Sequence, residues 1–162
     1  MSARDCPCSS GSTYADCCAP YHRGEREPPD AETLMRSRYA AYAKRQAAYI
    51  YRTLHPQHED RARPEGELMR EIRDATSNLK FMGLSVLDRR APDEHGIAQV
   101  LFAARVFEKG QNRSFVELSD FAHDGTGWRY LRGTQERPAR FGGEPKDLTI
   151  PAFQAALAQS PG

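Results

Sequence analysis

Ile97-Ala98-Gln99-Val100-Leu101-Phe102-Ala103-Ala104-Arg105-Val106-Phe107-Glu108 places apolar side chains at alternate positions through Val100, Phe102, Ala104 and Val106. Successive side chains of a strand point to opposite faces, so this spacing predicts one long strand with a buried face. Turn residues bracket it, Asp93-Glu94-His95-Gly96 before and Lys109-Gly110-Gln111-Asn112 after. The stretch from about Lys80 to Arg89 predicts the preceding strand, with Met82, Leu84 and Val86 on one face. Arg113 to His123 predicts the returning strand. Asp124-Gly125-Thr126-Gly127 is a hairpin signal, because its glycines supply positive φ angles, and Trp128 to Thr134 completes a meander. Short turns joining four strands imply an antiparallel sheet.

Before Asn78 the period is helical. Asp30 reads as an N-cap, and Leu34, Met35, Tyr39 and Tyr42 form an apolar stripe in Ala31 to Arg45. Gln46 to Leu54 predicts a second helical piece, stopped at His55-Pro56 because proline disfavours α geometry in the residue before it. Glu65 to Ser77 predicts a third helix, with Leu68, Met69 and Ile72 on its buried side. Helices first and strands afterwards define an α+β domain, with the helices packed on one face of the sheet.

All four cysteines fall in Cys6-Pro7-Cys8-Ser9-Ser10-Gly11-Ser12-Thr13-Tyr14-Ala15-Asp16-Cys17-Cys18. Four thiolates can enclose one Zn2+, which favours a closed tetrahedron of soft ligands in structural sites. Two disulfides would allow three connectivities. Against them, adjacent Cys17 and Cys18 would form a strained bridge, and the beginning Met1-Ser2-Ala3-Arg4-Asp5 has no apolar run of a signal peptide. The expectation is therefore a cytoplasmic protein with reduced thiols and a zinc knuckle. Gly11 would turn the chain, Ser10 or Ser12 would cap a short helix through Tyr14 and Ala15, and His22 is either a spare ligand or a surface histidine. From Ala19 to Asp30 three prolines and a glycine predict an irregular linker.

The chain of 162 residues suits one domain with an appendage, and its formal net charge is +1. That balance argues against a dedicated nucleic-acid binder and against polybasic membrane attachment, and no run is long enough to span a bilayer.

The cysteine stretch resembles the SEC-C motif, C-x-C-x-S-G followed by a helical spacer and C-C or C-H. Cys6, Cys8, Ser10, Gly11, Cys17 and Cys18 carry the match. In the tail of the SecA translocase motor such a motif binds zinc and contacts the chaperone SecB, so the resemblance implies a protein partner for the knuckle. Leu34 to Tyr42, Leu54-His55-Pro56, Gly83-Leu84, Glu117 to Phe121 and Trp128 to Thr134 further resemble the YchJ family of uncharacterised bacterial proteins. That resemblance implies a SEC-C knuckle (residues 1–24) and a cone-shaped nuclear transport factor 2-like, or cystatin-like, domain (25–142) of three helices and a curved antiparallel sheet. Many members carry a second C-terminal SEC-C motif. Residues 143–162 here contain no cysteine and offer only Ile150, Phe153, Ala156 and Leu157 as a short helix.

Two functions remain open at this point. One is a non-catalytic binding or adaptor module that meets another protein through the knuckle, with a small ligand in the cone. The other is a small-molecule enzyme that uses the cone, with zinc purely structural. Arg36, Arg38, Tyr39, His55 and Glu117 are the candidate pocket or ion-pair residues. If Glu117, Ser119 and Phe121 face the cone, Glu117 can pair with Arg36 or Arg38 as a buried salt bridge. Val116 and Leu118 must then face the other way. Glu117 or His55 would be the base of an enzyme, with Tyr39, Tyr42 or Tyr130 as donors.

Overall fold

A computed structural model describes residues 4–143 and 145–159, so the outer ends of the expected knuckle and tail, with Glu144, lie outside the described residues. The helices are α1 (Ala19–His22), α2 (Ala31–Ala43), α3 (Ala47–Arg52), α4 (Glu65–Thr76) and α5 (Ile150–Ala158). The strands are β1 (Leu79–Arg90), β2 (Ala98–Glu108), β3 (Gln111–Asn112), β4 (Phe115–His123) and β5 (Trp128–Glu136). They form one antiparallel sheet in the order β1-β2-β4-β5, with β3 folded back on β2. This is an α+β architecture, with α2, α3 and α4 on one face of a curved sheet.

Local chemistry sets the helix starts. The Asp30 carboxylate accepts the Thr33 N–H at 2.8 Å, which satisfies one of the free donors at the start of α2. Leu34, Met35 and Tyr39 of α2 are buried against Leu84, Val100, Phe102 and Ala104 of the sheet. Behind α2, Tyr49 and Ile50 of α3 pack with Leu68 and Ile72 of α4.

Breaks in strand register bend the sheet around these helices. Pairing shifts between Phe81 and Gly83, between Val86 and Asp88, and between Asp120 and Phe121. The first shift corrects the expectation for Met82. The extra residue turns its side chain to solvent, 53% exposed, while Leu84 stays buried. At the same place the Tyr39 hydroxyl donates to the Gly83 carbonyl (2.9 Å) and accepts the Gly83 N–H (3.1 Å).

β4 is buried on both faces. Glu117, Ser119 and Phe121 face the helices, and Val116 and Leu118 face away. The second face is covered by α5, whose Ile150 and Phe153 are fully buried against Leu101, Val116 and Leu118. Asp88, at the second register shift, accepts the Ile150 N–H at 2.8 Å and fixes the start of α5.

Two local expectations are corrected. The stretch after Cys18 is not wholly irregular, since α1 forms with Pro20 in its first turn, where a missing N–H removes no helical bond. The helical turn Tyr14–Asp16 follows Thr13 and has no side-chain cap, so neither Ser10 nor Ser12 performs that role. Among the described residues no helix is long and apolar enough to cross a membrane.

Candidate metal centre and ligand cavity

The chain turns around the cysteines through left-handed backbone at Ser9 (φ 66°) and Gly11 (φ 90°). The four Sγ atoms then lie within 4.8 Å of one another. Cys8 and Cys17 sulfurs are 3.6 Å apart, and those of Cys17 and Cys18 are 3.8 Å apart. A disulfide needs about 2.05 Å, so these are free thiols. Zinc–thiolate bonds near 2.3 Å give tetrahedral S···S edges of roughly 3.8 Å, which these separations match. The cluster can hold a metal ion. His22 is not one of its members.

Electrostatics point the same way. Hydrogen bonds from the Cys18 and Cys6 thiols hold the Cys8 thiol far below its ordinary value. The hydrogen bonds with Cys6 and Cys8, and then burial, push Cys18 far above it. Four negative sulfurs cannot coexist at this spacing without a cation, so metal entry and proton release are coupled. The Ser10 hydroxyl lies 3.2 Å from the Cys17 sulfur, where it can donate to a thiolate and orient it.

The knuckle is fastened into the domain core. Cys6, Cys8 and Cys18 are buried in the same apolar cluster as Leu34, Met35 and Val100. Arg36 Nη1 donates to the Cys8 carbonyl at 2.8 Å, and the Leu84 N–H donates to the Ser9 hydroxyl at 3.1 Å. His22 is a clamp that sequence spacing did not identify. Its Nε2 lies 2.8 Å from the Ser37 carbonyl and its Nδ1 lies 2.5 Å from the Tyr14 hydroxyl. A carbonyl only accepts, so Nε2 carries the proton and Nδ1 accepts from Tyr14. Burial lowers the His22 pKa and keeps the ring neutral.

Between α2, α4 and the sheet lies a cavity of about 340 Å³. Its walls are apolar, from Met35 and Tyr39 on the helix to Phe81, Phe102, Phe115 and Phe121 on the sheet. Its polar groups include Arg38, Thr76, Arg113, Glu117, Ser119, Tyr130 and Gln135. Glu117 is 7% exposed and accepts from Tyr130 Oη (3.2 Å), Gln135 Nε2 (2.8 Å) and Ser119 Oγ. Burial, and then the Glu117 charge, push the Tyr130 pKa up, so its hydroxyl stays protonated and donates. Gly133 makes this possible, since a Cβ there would collide with the Glu117 carboxylate and the Tyr130 hydroxyl.

The expected buried pair does not form. Among the described residues Glu117 has no ion pair with Arg36 or Arg38. Arg36 instead pairs with Glu32 at 3.2 Å, outside the cavity. Arg38 gives Nη1 to the Ile50 carbonyl (2.9 Å) and the Thr53 hydroxyl (2.6 Å), and its guanidinium lies 4.7 Å from the Tyr130 ring centre. Tyr130 thus connects the two charges, its face on the cation and its hydroxyl on the carboxylate. His55 also lies outside the cavity. Its N–H donates to the Tyr130 carbonyl and its Nδ1 accepts the Gln57 N–H.

A four-cysteine knuckle fastened to a nuclear transport factor 2-like domain defines the class of protein. The model of the family described as "YchJ, middle NTF2-like domain" matches residues 30–133. The chain is 36% identical over 135 residues to the UPF0225 protein YchJ of Shigella dysenteriae, covering 83% of this chain and 86% of that one. It belongs to the YchJ family. Its structure is similar to the solution structure of a SEC-C motif containing protein from Rhodopseudomonas palustris (TM-score 0.66, 34% identity), covering 80% of this chain and 96% of that one. It is also similar to the crystal structure of a SEC-C motif containing protein from Psychrobacter arcticus (TM-score 0.68, 27% identity), covering 81% and 82%.

Proposed function

We propose that this chain is a zinc-stabilised binding protein. Cys6, Cys8, Cys17 and Cys18 hold Zn2+ as a closed structural clamp, and the cavity between helices and sheet receives a small organic ligand. The observation that carries this reading is the cavity itself, about 340 Å³ with apolar walls and a few buried polar groups. Small-molecule sites have this composition and a volume of roughly 300–1,000 Å³. Four thiolate ligands leave no open position for substrate or water, which favours zinc as a structural element. Glu117 is engaged by three donors, which favours a fixed polar anchor over a general base. A protein partner, expected from the SEC-C resemblance, would meet the knuckle on its exposed turn at Ser9 to Thr13.

Native mass spectrometry with and without a strong chelator tests the clamp. One zinc per chain, with thiols that become alkylated only after chelation, is the expected result. An apo mass with four freely alkylated thiols rejects it. Calorimetric titration with small organic compounds tests the cavity, as set out below.

A further inference from the structure

We propose that the cavity takes a small organic monocarboxylate with an apolar body, seated by a two-point contact on Nε and Nη2 of Arg38. This rests on the reading of the cavity as a ligand site and names the chemistry of its ligand.

Arg38 is the buried charge that the fold leaves open. It is 7% exposed and has no ion pair among the described residues. Both of its hydrogen bonds come from Nη1, to the Ile50 carbonyl and the Thr53 hydroxyl. Nε and Nη2 make none among the described residues. Yet among the described residues no buried side-chain nitrogen or oxygen lacks a partner, so these two nitrogens retain accessible surface. Arg38 lines the cavity, where these two nitrogens would meet a ligand.

The geometry selects an anion of a particular shape. Nε and Nη2 are the adjacent donors of the guanidinium side edge, whose parallel N–H groups match the two oxygens of a carboxylate. The fork is held in place, because Nη1 is anchored twice and the plane lies against Tyr130. Glu117 does not compete for it, being occupied by Ser119, Tyr130 and Gln135.

The walls select the remainder of the ligand. Met35, Tyr39, Phe81, Phe102, Phe115 and Phe121 offer aliphatic and aromatic surface to an apolar body. Arg113 lines both the cavity and an adjoining hollow, which Arg137 and Glu136 also line, so that hollow carries both signs and the selection rests on Arg38.

The test is calorimetric titration of the zinc-loaded full chain with hydrocinnamate and octanoate, each against its own amide, with amide NMR shifts to locate binding. The acids are expected to bind at least about tenfold tighter than the amides, the difference a charge-assisted two-point contact supplies. The shifts are expected around Ser119 and Tyr130. Arg38→Lys keeps the charge and loses the fork, so it is expected to remove most of that preference. Should Arg38→Lys fail to fold, the acid–amide comparison on the native chain still decides. Equal binding of acid and amide overturns the carboxylate assignment and leaves the cavity reading standing. Failure of every compound overturns both. A preference abolished by Arg113→Gln or Arg137→Gln but kept in Arg38→Lys overturns the role of Arg38.

Discussion

Arg36 Nη1 donates to the carbonyl of Cys8 at 2.8 Å, across twenty-eight residues of chain. The contact fixes one cysteine of the cluster to the middle of α2. The same guanidinium is held by Glu32 at 3.2 Å, and Glu32 also reaches Arg89 of β1 at 2.7 Å. Helix, knuckle and sheet edge therefore share one polar junction. Arg36→Ala is expected to lower unfolding stability by about 1.5–3 kcal/mol, the range for a lost charge-assisted hydrogen bond. With the chain loaded with Zn2+ as proposed, transfer of the ion to a competing chromogenic chelator should become several-fold faster in the same variant. Transfer at the native rate would mean that this bond does not restrain the knuckle.

Gly133 has no turn to make, yet the Glu117 carboxylate and the Tyr130 hydroxyl occupy the space a Cβ would take. Gly133→Ala is expected to cost about 1–3 kcal/mol by overpacking. The cost should shrink when Glu117→Ala is added, because neighbouring substitutions are not additive. Urea unfolding of the two single variants and the double variant checks this. Strict additivity would show that the crowding is relieved elsewhere.

Tyr130→Phe keeps the ring against Arg38 and removes only the hydroxyl that donates to Glu117. A buried carboxylate that loses one donor of three destabilises the fold by about 1.5–3 kcal/mol. The midpoint of chemical denaturation should fall accordingly, with an unchanged denaturant slope.

His58 lies half-buried with its ring 5.7 Å from that of Tyr130, and its Nδ1 accepts the Asp60 N–H at 3.0 Å. Burial lowers its pKa below the ordinary 6.5. The neutral ring is thus the form the fold favours. Its stabilising contribution is complete above 6.5 and is lost as pH falls from there toward the lower folded value. His58→Asn retains an acceptor without a titration, so the melting temperature of this variant should fall less between pH 7.5 and about pH 5.5 than that of the native chain. Parallel curves would exclude His58 as a contributor.

The alternation through Val100, Phe102, Ala104 and Val106 made the sheet legible, and the Asp30 cap made the start of α2 legible. The cysteine spacing located the four-thiol cluster because residues so close in sequence need no long-range fold to meet. Glu117 and Arg38 were legible as cavity residues but not as partners of Tyr130, since register and rotamer decide which of two nearby donors reaches a carboxylate. Met82 was misplaced because a single inserted residue inverts the period, and nothing in Phe81-Met82-Gly83 beyond the glycine announces it. An isolated glycine in Tyr130-Leu131-Arg132-Gly133-Thr134 was the available sign of a close approach.

α5 covers the second face of β4 through Ile150 and Phe153. Phe153→Ala is expected to destabilise by about 3–5 kcal/mol, the cost of emptying a buried aromatic site, measured by thermal or urea unfolding. Coverage on both sides also polices the pairing of the strand. A slip of β4 by one residue would drive the Glu117 carboxylate under a helix made of isoleucine and phenylalanine and put Val116 among the polar groups of the cavity. In a sheet with one wet face such a slip would at least leave the displaced charge in water. Here the far side is the apolar underside of α5, so a slipped strand would lose its fit to Ile150 and Phe153, and the helix that follows the sheet checks its register.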